Sequence, residues 1–322
     1  MKNKIFNSLK KELPNVQRNV LLKNHSTFKI GGPAEYFLGV DKKTDLIKAI
    51  ESGKKLKIPV FVLGGGSNLL ISDKGLKGLV IKNQDKAKVI LKSGNIVEAS
   101  AGMVLGKVVD FSIKKSLAGL EWAGGLPGTF GGAIRGNAGA FGGEIKDSVV
   151  EVLALDKNFK LVKLSNKECR FSYRSSIFKE KDLVVLSASL KLKKGDKKVL
   201  QKIAKSHINY RKEKHPLEYP NIGSIFKNVD FKKVPQKFKK EFINKVKQDP
   251  FPIIPTAWFI IGAGLVGKKI GGAQVSKKHS NYIVNLGGAK AHDVLSLINL
   301  IKKKVKKIYG IDLEAECMMI GE

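Results

Sequence analysis

Cysteine is almost absent from this chain: Cys169 and Cys317 are the only two in 322 residues. They stand far apart and form no Cys-x-x-Cys, which leaves neither a disulfide framework nor a zinc knuckle and fits a reducing, cytoplasmic setting. Histidine is scarce as well. His25, His207, His215, His279 and His292 show no His-x-x-x-His or His-Glu-x-x-His spacing, so no metal centre is expected. Long apolar runs are missing: the longest, residues 257–267, falls short of the ~20 residues needed to span a bilayer. The polar first residues lack the apolar heart of a signal peptide. These absences point to a protein that does not insert into membranes.

Arginine is the next scarcity. It occurs only at Arg18, Arg135, Arg170, Arg174 and Arg211, although the chain carries 60 basic residues against 28 acidic ones and a net charge of +32. Nucleic-acid readers rely on arginine for bidentate phosphate and base contacts. The lysines here lie in short runs such as Lys302-Lys303-Lys304 and Lys306-Lys307, scattered along the chain. The pattern reads as a lysine-rich surface that requires no nucleic-acid partner. Such a surface can still draw in an anionic substrate.

What is present is ordinary for a soluble globular protein, with 43% hydrophobic and 27% charged residues, enough for two or three domains. After a polar, helical start, residues 58–63 read as a buried strand and residues 79–81 as a second. Residues 88–99 alternate around Ser93-Gly94-Asn95 and predict a hairpin. Residues 104–117 carry helical apolar spacing, residues 149–155 and 183–192 read as strands, and residues 197–211 as a helix. The last stretch predicts strand 282–285, amphipathic helix 291–309 and strand 313–320. This order suggests α+β rather than steady βαβ alternation.

Two glycine-rich tracts dominate the chemistry. The first, Gly64-Gly65-Gly66-Ser67-Asn68, follows a predicted strand. The second runs through Pro127, Gly128, Gly131 and Gly132 to Asn137, Ala138 and Gly139. Glycine turns let backbone N–H groups converge on an anion and let a pyrophosphate approach the main chain. The first tract alone is equally consistent with a flexible loop; the two together favour a phosphate or dinucleotide site. Neither is a Gly-x-Gly-x-x-Gly with an acidic residue ~20 positions on, so a Rossmann site is not expected.

Motifs in a fixed order carry a resemblance. Residues 24–32 (NHSTFKIGG), the two glycine tracts, Tyr173-Arg174-Ser175-Ser176 and Leu217-Glu218-Tyr219-Pro220 come first. Residues 223–228 (GSIFKN), 270–276 (IGGAQVS) and 313–316 (LEAE) follow. In this order, over nearly the whole chain, they resemble the UDP-N-acetylenolpyruvoylglucosamine reductases (UDP-N-acetylmuramate dehydrogenases). The interval from Arg174 to Ser224 is similar to the family's shorter type, which lacks an added substrate-clamping loop.

The resemblance implies an α+β, vanillyl-alcohol-oxidase-type FAD-binding fold. Its two subdomains, residues 1–85 and 86–207, would hold the flavin between them, and residues 208–322 would form the C-terminal substrate-binding domain. It implies non-covalent FAD held by the two tracts, NADPH as reductant, and a UDP-sugar whose enolpyruvyl ether is reduced in peptidoglycan synthesis by a monomer. Arg174, Ser224 and Glu316 match its catalytic positions, with Ser224 as proton donor, and Lys214, Asn228 and His279 its substrate contacts.

Read without the resemblance, Arg174 could equally make a surface ion pair and Ser224 cap a turn or helix. Glu314 and Glu316 share one face of a predicted strand, and either could be an exposed charge. Met318 stands where the family often has arginine, Val229 where proline usually follows, and Gly262 where an acidic residue is common. An alcohol or hydroxy-acid oxidase of the same fold would share the flavin tracts but lack the GSIFKN and IGGAQVS segments. A nucleic-acid-binding protein would be colourless and bind DNA with steep salt dependence.

Overall fold

A computed structural model of the chain describes residues 2–85 and 89–321. Lys88, where the hairpin is expected to start, and Lys86, which opens the expected second subdomain, lie outside those residues. The chain forms two compact units. Met1–Val20, Ala34–Gly65 and Lys77–Tyr210 make the first; Leu21–Pro33, Gly66–Leu76 and Arg211–Glu322 make the second.

The first unit holds two cores. A four-stranded sheet is ordered Gln17–Leu21, Pro33–Val40, Leu76–Asn83, Val60–Leu63, with Val60 opposite Leu79 in a parallel pair. Alternation along Pro33–Val40 and Leu76–Asn83 turns Tyr36, Leu38, Leu79 and Ile81 into one core. The helix Lys43–Lys55 adds Leu46, Ala49 and Ile50 to it.

The second core belongs to a five-stranded antiparallel sheet ordered Leu161–Ser165, Val149–Leu155, Val184–Lys191, Ile96–Ser100, Ile90–Leu91. Val97, Ala99, Val152, Ala154, Ala188 and Leu190 face inward from it. The strand Leu161–Ser165 was not foreseen, because it is an edge with one exposed face and a lysine in its middle. The expected helix 104–117 is regular only over Leu105–Lys114; Leu117 joins a short strand with Lys193–Lys194.

A short helix, Phe130–Gly136, lies hidden in the second glycine tract. Glycine costs roughly 1 kcal/mol per helical position relative to alanine, so local propensity opposes it. Burial of Phe130, Ala133 and Ile134 outweighs that cost. Thr129 accepts from the Gly132 N–H as N-cap, and Asn137 ends the helix in the left-handed region at φ 42°.

In the second unit the helix Ala291–Tyr309 buries Val294, Leu297, Ile298, Ile301 and Val305, as the apolar spacing predicts. Each such side chain contributes roughly 1.5–3 kcal/mol. The Asp73 carboxylate accepts from the N–H groups of Ala291 and His292 at 2.9 and 3.2 Å, satisfying two donors of the helix's first turn. The helix shares its core with a sheet ordered Lys269–Ile270, Ala273–Val275, Ile283–Asn285.

The expected strand 313–320 needs correction. It is regular only over Met318–Ile320, which pairs in parallel with Leu69–Ile71. Before that the chain meets a different partner, through the single bridge Ala315 to Phe226. Changing partners within so few residues breaks the regular ladder. Gly262 also finds its reason: a Cβ there would stand 1.9 Å from the Tyr309 hydroxyl, so no side chain fits while Tyr309 keeps its place. Val229 is a ladder residue opposite Ile254.

Candidate active site

The two glycine tracts meet in the first unit because they lack side chains. A Cβ on Gly65 would stand 2.7 Å from the Gly128 Cα, and one on Gly64 would stand 2.5 Å from the Thr129 hydroxyl. Gly131 is likewise closed, with Ala101 Cβ at 2.6 Å. Gly132 differs. It is exposed near the start of the helix Phe130–Gly136, and a Cβ there would meet only Thr129 Oγ1, at 3.4 Å. Packing thus explains Gly64, Gly65 and Gly131 but leaves Gly132 open to close approach from outside, as a cradle for a phosphate requires.

Pro127 is exposed, and Ala138 is half-buried. Lys82 donates to the Gly64 carbonyl, which places a half-buried amine at the first tract, and burial lowers its pKa. The sequence reading missed Lys82, since one more lysine in a lysine-rich chain carries no signal.

The first tract leaves the first unit at Gly65 and enters the second at Gly66. There Gly66 accepts from the Thr27 N–H, Ser67 and Asn68 form a turn, and Asn68 Nδ2 donates to the Glu316 carbonyl at 3.2 Å. Asn137, buried at the end of the hidden helix, donates to the Ser172 carbonyl at 2.9 Å and accepts from the Lys146 N–H.

That contact begins a set of staples around Arg174. Ser172 and Ser175 exchange backbone hydrogen bonds across a tight turn, and Arg174 at its tip sits in the left-handed region at φ 55°. Ser176 donates to the Arg135 carbonyl and Lys179 to that of Arg174. The guanidinium donates from Nη2 to the Gly139 carbonyl at 2.7 Å, and its Nη1 stands 3.6 Å from Glu144 Oε1. A non-glycine residue in the left-handed region costs on the order of 1–3 kcal/mol and persists only where its surroundings enforce it. With 19% of the side chain exposed, Arg174 is a held group rather than a surface ion pair.

In the second unit, residues 224–227 run between two other segments. Ser224 bridges Tyr282, Ile225 N donates to Asn281 O, and Phe226 bridges Ala315. Residues directly opposed across an antiparallel bridge turn their side chains to one face, so Ser224 and Tyr282 share a face. Glu316 N donates to Ile225 O at 2.8 Å, one residue from Ser224. The two candidate acids differ in surroundings: Glu314 is exposed and ion-paired with Lys227, whereas Glu316 is half-buried.

Of the remaining candidates, Lys214 is half-exposed and pairs with its neighbour Glu213 at 2.6 Å. Asn228 accepts from the Thr256 N–H at 3.3 Å, which orients its side chain. His279 joins a cluster not visible in the sequence. Its ring lies 5.4 Å from that of His215 and 4.8 Å from that of Tyr282, and Tyr282 Oη lies 3.1 Å from His215 Nδ1. Burial, aided by His279, Arg211 and Lys278, pushes His215 down to about 4, and burial also lowers His279. Both imidazoles are therefore neutral at neutral pH.

A consequence is open to measurement. The unfolded chain protonates His215 first, so it binds more protons than the folded one between pH 6.5 and about 4. The neutral imidazole's contribution is complete above that window and is lost as pH falls through it. Denaturant titrations should show the midpoint falling over this range, and His215→Asn should flatten that fall. Identical pH dependence in the two proteins would refute the assignment.

Among the described residues, no helix is long and apolar enough to cross a membrane, and no group of three or more His, Cys, Asp or Glu could hold a metal ion. Two family models match: an FAD binding domain over residues 34–165, and the C-terminal domain of UDP-N-acetylenolpyruvoylglucosamine reductase over residues 215–320. Among curated proteins, UDP-N-acetylenolpyruvoylglucosamine reductase of Caldanaerobacter subterraneus subsp. tengcongensis is 41% identical, over 94% of this chain and 93% of the relative. That of Clostridium novyi is 38% identical, over 95% and 92%. The crystal structure of UDP-N-acetylenolpyruvylglucosamine reductase from Thermus caldophilus aligns with a TM-score of 0.73 at 28% identity, covering 95% of this chain and 99% of that one. The expected α+β FAD-binding fold is borne out by these matches.

Proposed function

From a chain that belongs to the UDP-N-acetylenolpyruvoylglucosamine reductases, and is thus an FAD-dependent oxidoreductase with NADPH as reductant, we propose a catalytic cycle carried by Arg174, Ser224 and Glu316. The substrate is the enolpyruvyl ether of UDP-N-acetylglucosamine and the product UDP-N-acetylmuramate. FAD, when bound, would supply hydride chemistry toward the substrate's vinyl group, with NADPH as the reductant. Gly64, Gly65, Gly128, Gly131 and Gly132 would hold its pyrophosphate, with Gly66, Ser67, Asn68, Pro127, Asn137, Ala138 and Gly139 completing the flavin's surroundings. The single observation that carries this fit is the junction of the two tracts, closed at Gly64, Gly65 and Gly131 and open at Gly132.

Hydride addition leaves negative charge on the carbon beside the substrate carboxylate, and fixed donors must stabilise it. Arg174 offers an always-charged fork that matches a carboxylate, and its enforced backbone and Gly139 anchor keep it from reorganising during the reaction. Ser224 delivers the proton. A hydroxyl is a weak acid, but a carbanion beside a carboxylate is basic enough to take its proton. Glu316 completes the catalytic set, half-buried and held through its backbone N–H to Ile225 O, one residue from Ser224. Lys214, Asn228 and His279 bind the substrate's diphosphate or carboxylate, with neutral His279 serving as a hydrogen-bonding partner. The three-domain division at 85/86 and 207/208 and a monomeric, cytoplasmic enzyme complete the proposal.

The test is turnover with purified protein, NADPH and the enolpyruvyl UDP-sugar. A product two hydrogens heavier than the substrate is expected, formed in step with NADPH oxidation. NADPH oxidation with no change in the sugar's mass would remove the proposal.

A further inference from the structure

We propose that Glu144, which none of the sequence motifs singles out, is the positioning residue for Arg174 and sets where the guanidinium meets the substrate. The inference rests on the catalytic role of Arg174 given above. Its starting point is a buried oxygen without a hydrogen bond: Glu144 is buried at 6% exposure, and its Oε1 is one of two buried side-chain polar atoms among the described residues with no hydrogen-bond partner. A buried acceptor left unsatisfied costs on the order of 1–3 kcal/mol, more when charged, so its retention calls for a reason. The group facing it is Arg174 Nη1, at 3.6 Å. That separation is an ion pair without a hydrogen bond: the carboxylate attracts the guanidinium yet leaves Nη1 turned toward it only loosely.

The local fold is built around this contact. Gly139–Ala140 and Gly143–Glu144 form a hairpin whose register puts Glu144 directly opposite Gly139. Gly139 supplies the carbonyl that anchors Arg174 Nη2. A Cβ on Gly139 would stand 2.8 Å from Glu144 Cγ and 3.0 Å from Arg174 Nη1, so the two charged side chains can meet only across a glycine. The rest of the carboxylate is fixed independently. Glu144 Oε2 pairs with Lys146 at 2.7 Å, and the Glu144 side chain and backbone take part in a capping box with Asp147. One carboxylate oxygen is thus spent on structure, and the other is left for Arg174. Gly139 was read from the sequence as a flavin-tract residue; its missing side chain is accounted for here by the arginine clamp.

The experiment uses the full flavin-loaded enzyme and follows each half-reaction by stopped-flow absorbance. Glu144→Gln keeps the size and the capping acceptor but removes the charge. It should leave flavin content and reduction by NADPH near wild type while slowing reoxidation by the UDP-sugar ~10- to 100-fold, the scale expected from a misplaced catalytic group. In Arg174→Ala the same substitution should cost nothing further, because the coupled pair is already broken. If Glu144→Gln does not fold with flavin, Glu144→Asp serves: it withdraws the carboxylate by one methylene and should show the same selective slowing. Equal loss in both half-reactions, or full cost of Glu144→Gln on top of Arg174→Ala, overturns the positioning role. A wild-type oxidative rate in Arg174→Ala would instead remove the catalytic role of Arg174.

Discussion

Ser224→Ala should bind flavin and be reduced by NADPH at close to the wild-type rate, yet reduce the UDP-sugar ~100- to 10,000-fold more slowly, the usual worth of a general acid. The selectivity would follow from the role proposed for the hydroxyl. NADPH oxidation calls for no proton from Ser224, whereas the carbon beside the substrate carboxylate must gain one after hydride arrives. The substitution is also structurally mild. Ser224 is held through its backbone bridge to Tyr282, and the next residue through the hydrogen bond from Ile225 to Asn281, neither of which alanine removes. Reoxidation at the wild-type rate would show that the proton comes from elsewhere.

The second large effect is expected at Arg174. Arg174→Lys keeps the positive charge but loses the planar fork that donates to Gly139 and faces Glu144 together. Loss of one preorganised donor to developing charge commonly costs ~100- to 1,000-fold, and the oxidative half-reaction should slow by that amount. The lysine variant is the sharper test, since an electrostatic role indifferent to geometry would survive it. Stopped-flow rates near wild type for the lysine enzyme would mean that charge alone suffices and that the fork has no part.

Much of this was legible in the residues, for identifiable reasons. The helix Ala291–Tyr309 was visible because its buried stripe repeats over five turns. The hairpin around Ser93-Gly94-Asn95 was visible because turn chemistry interrupts alternation. The helix Phe130–Gly136 was not, because its glycines speak against helix and only burial of Phe130 and Ile134 decides otherwise. The strand 313–320 was overdrawn because alternation reports an extended chain, not which partner it pairs with. The glycine tracts announced a ligand, but the sequence could not say which glycines serve packing and which serve approach. The space around each position separates Gly131 from Gly132. Glu144 and the pair His215–Tyr282 were invisible for a different reason. Their significance lies in long-range neighbours, Arg174 in one case and a burial that depresses His215 in the other.

The most direct measurement is the visible spectrum of the purified protein under anaerobic conditions. Flavin bands should be present without covalent attachment, bleach on addition of NADPH and return on addition of the enolpyruvyl UDP-sugar. A colourless protein that takes up no flavin even on reconstitution would contradict the account at its root, because the junction of the two glycine tracts would then hold no dinucleotide.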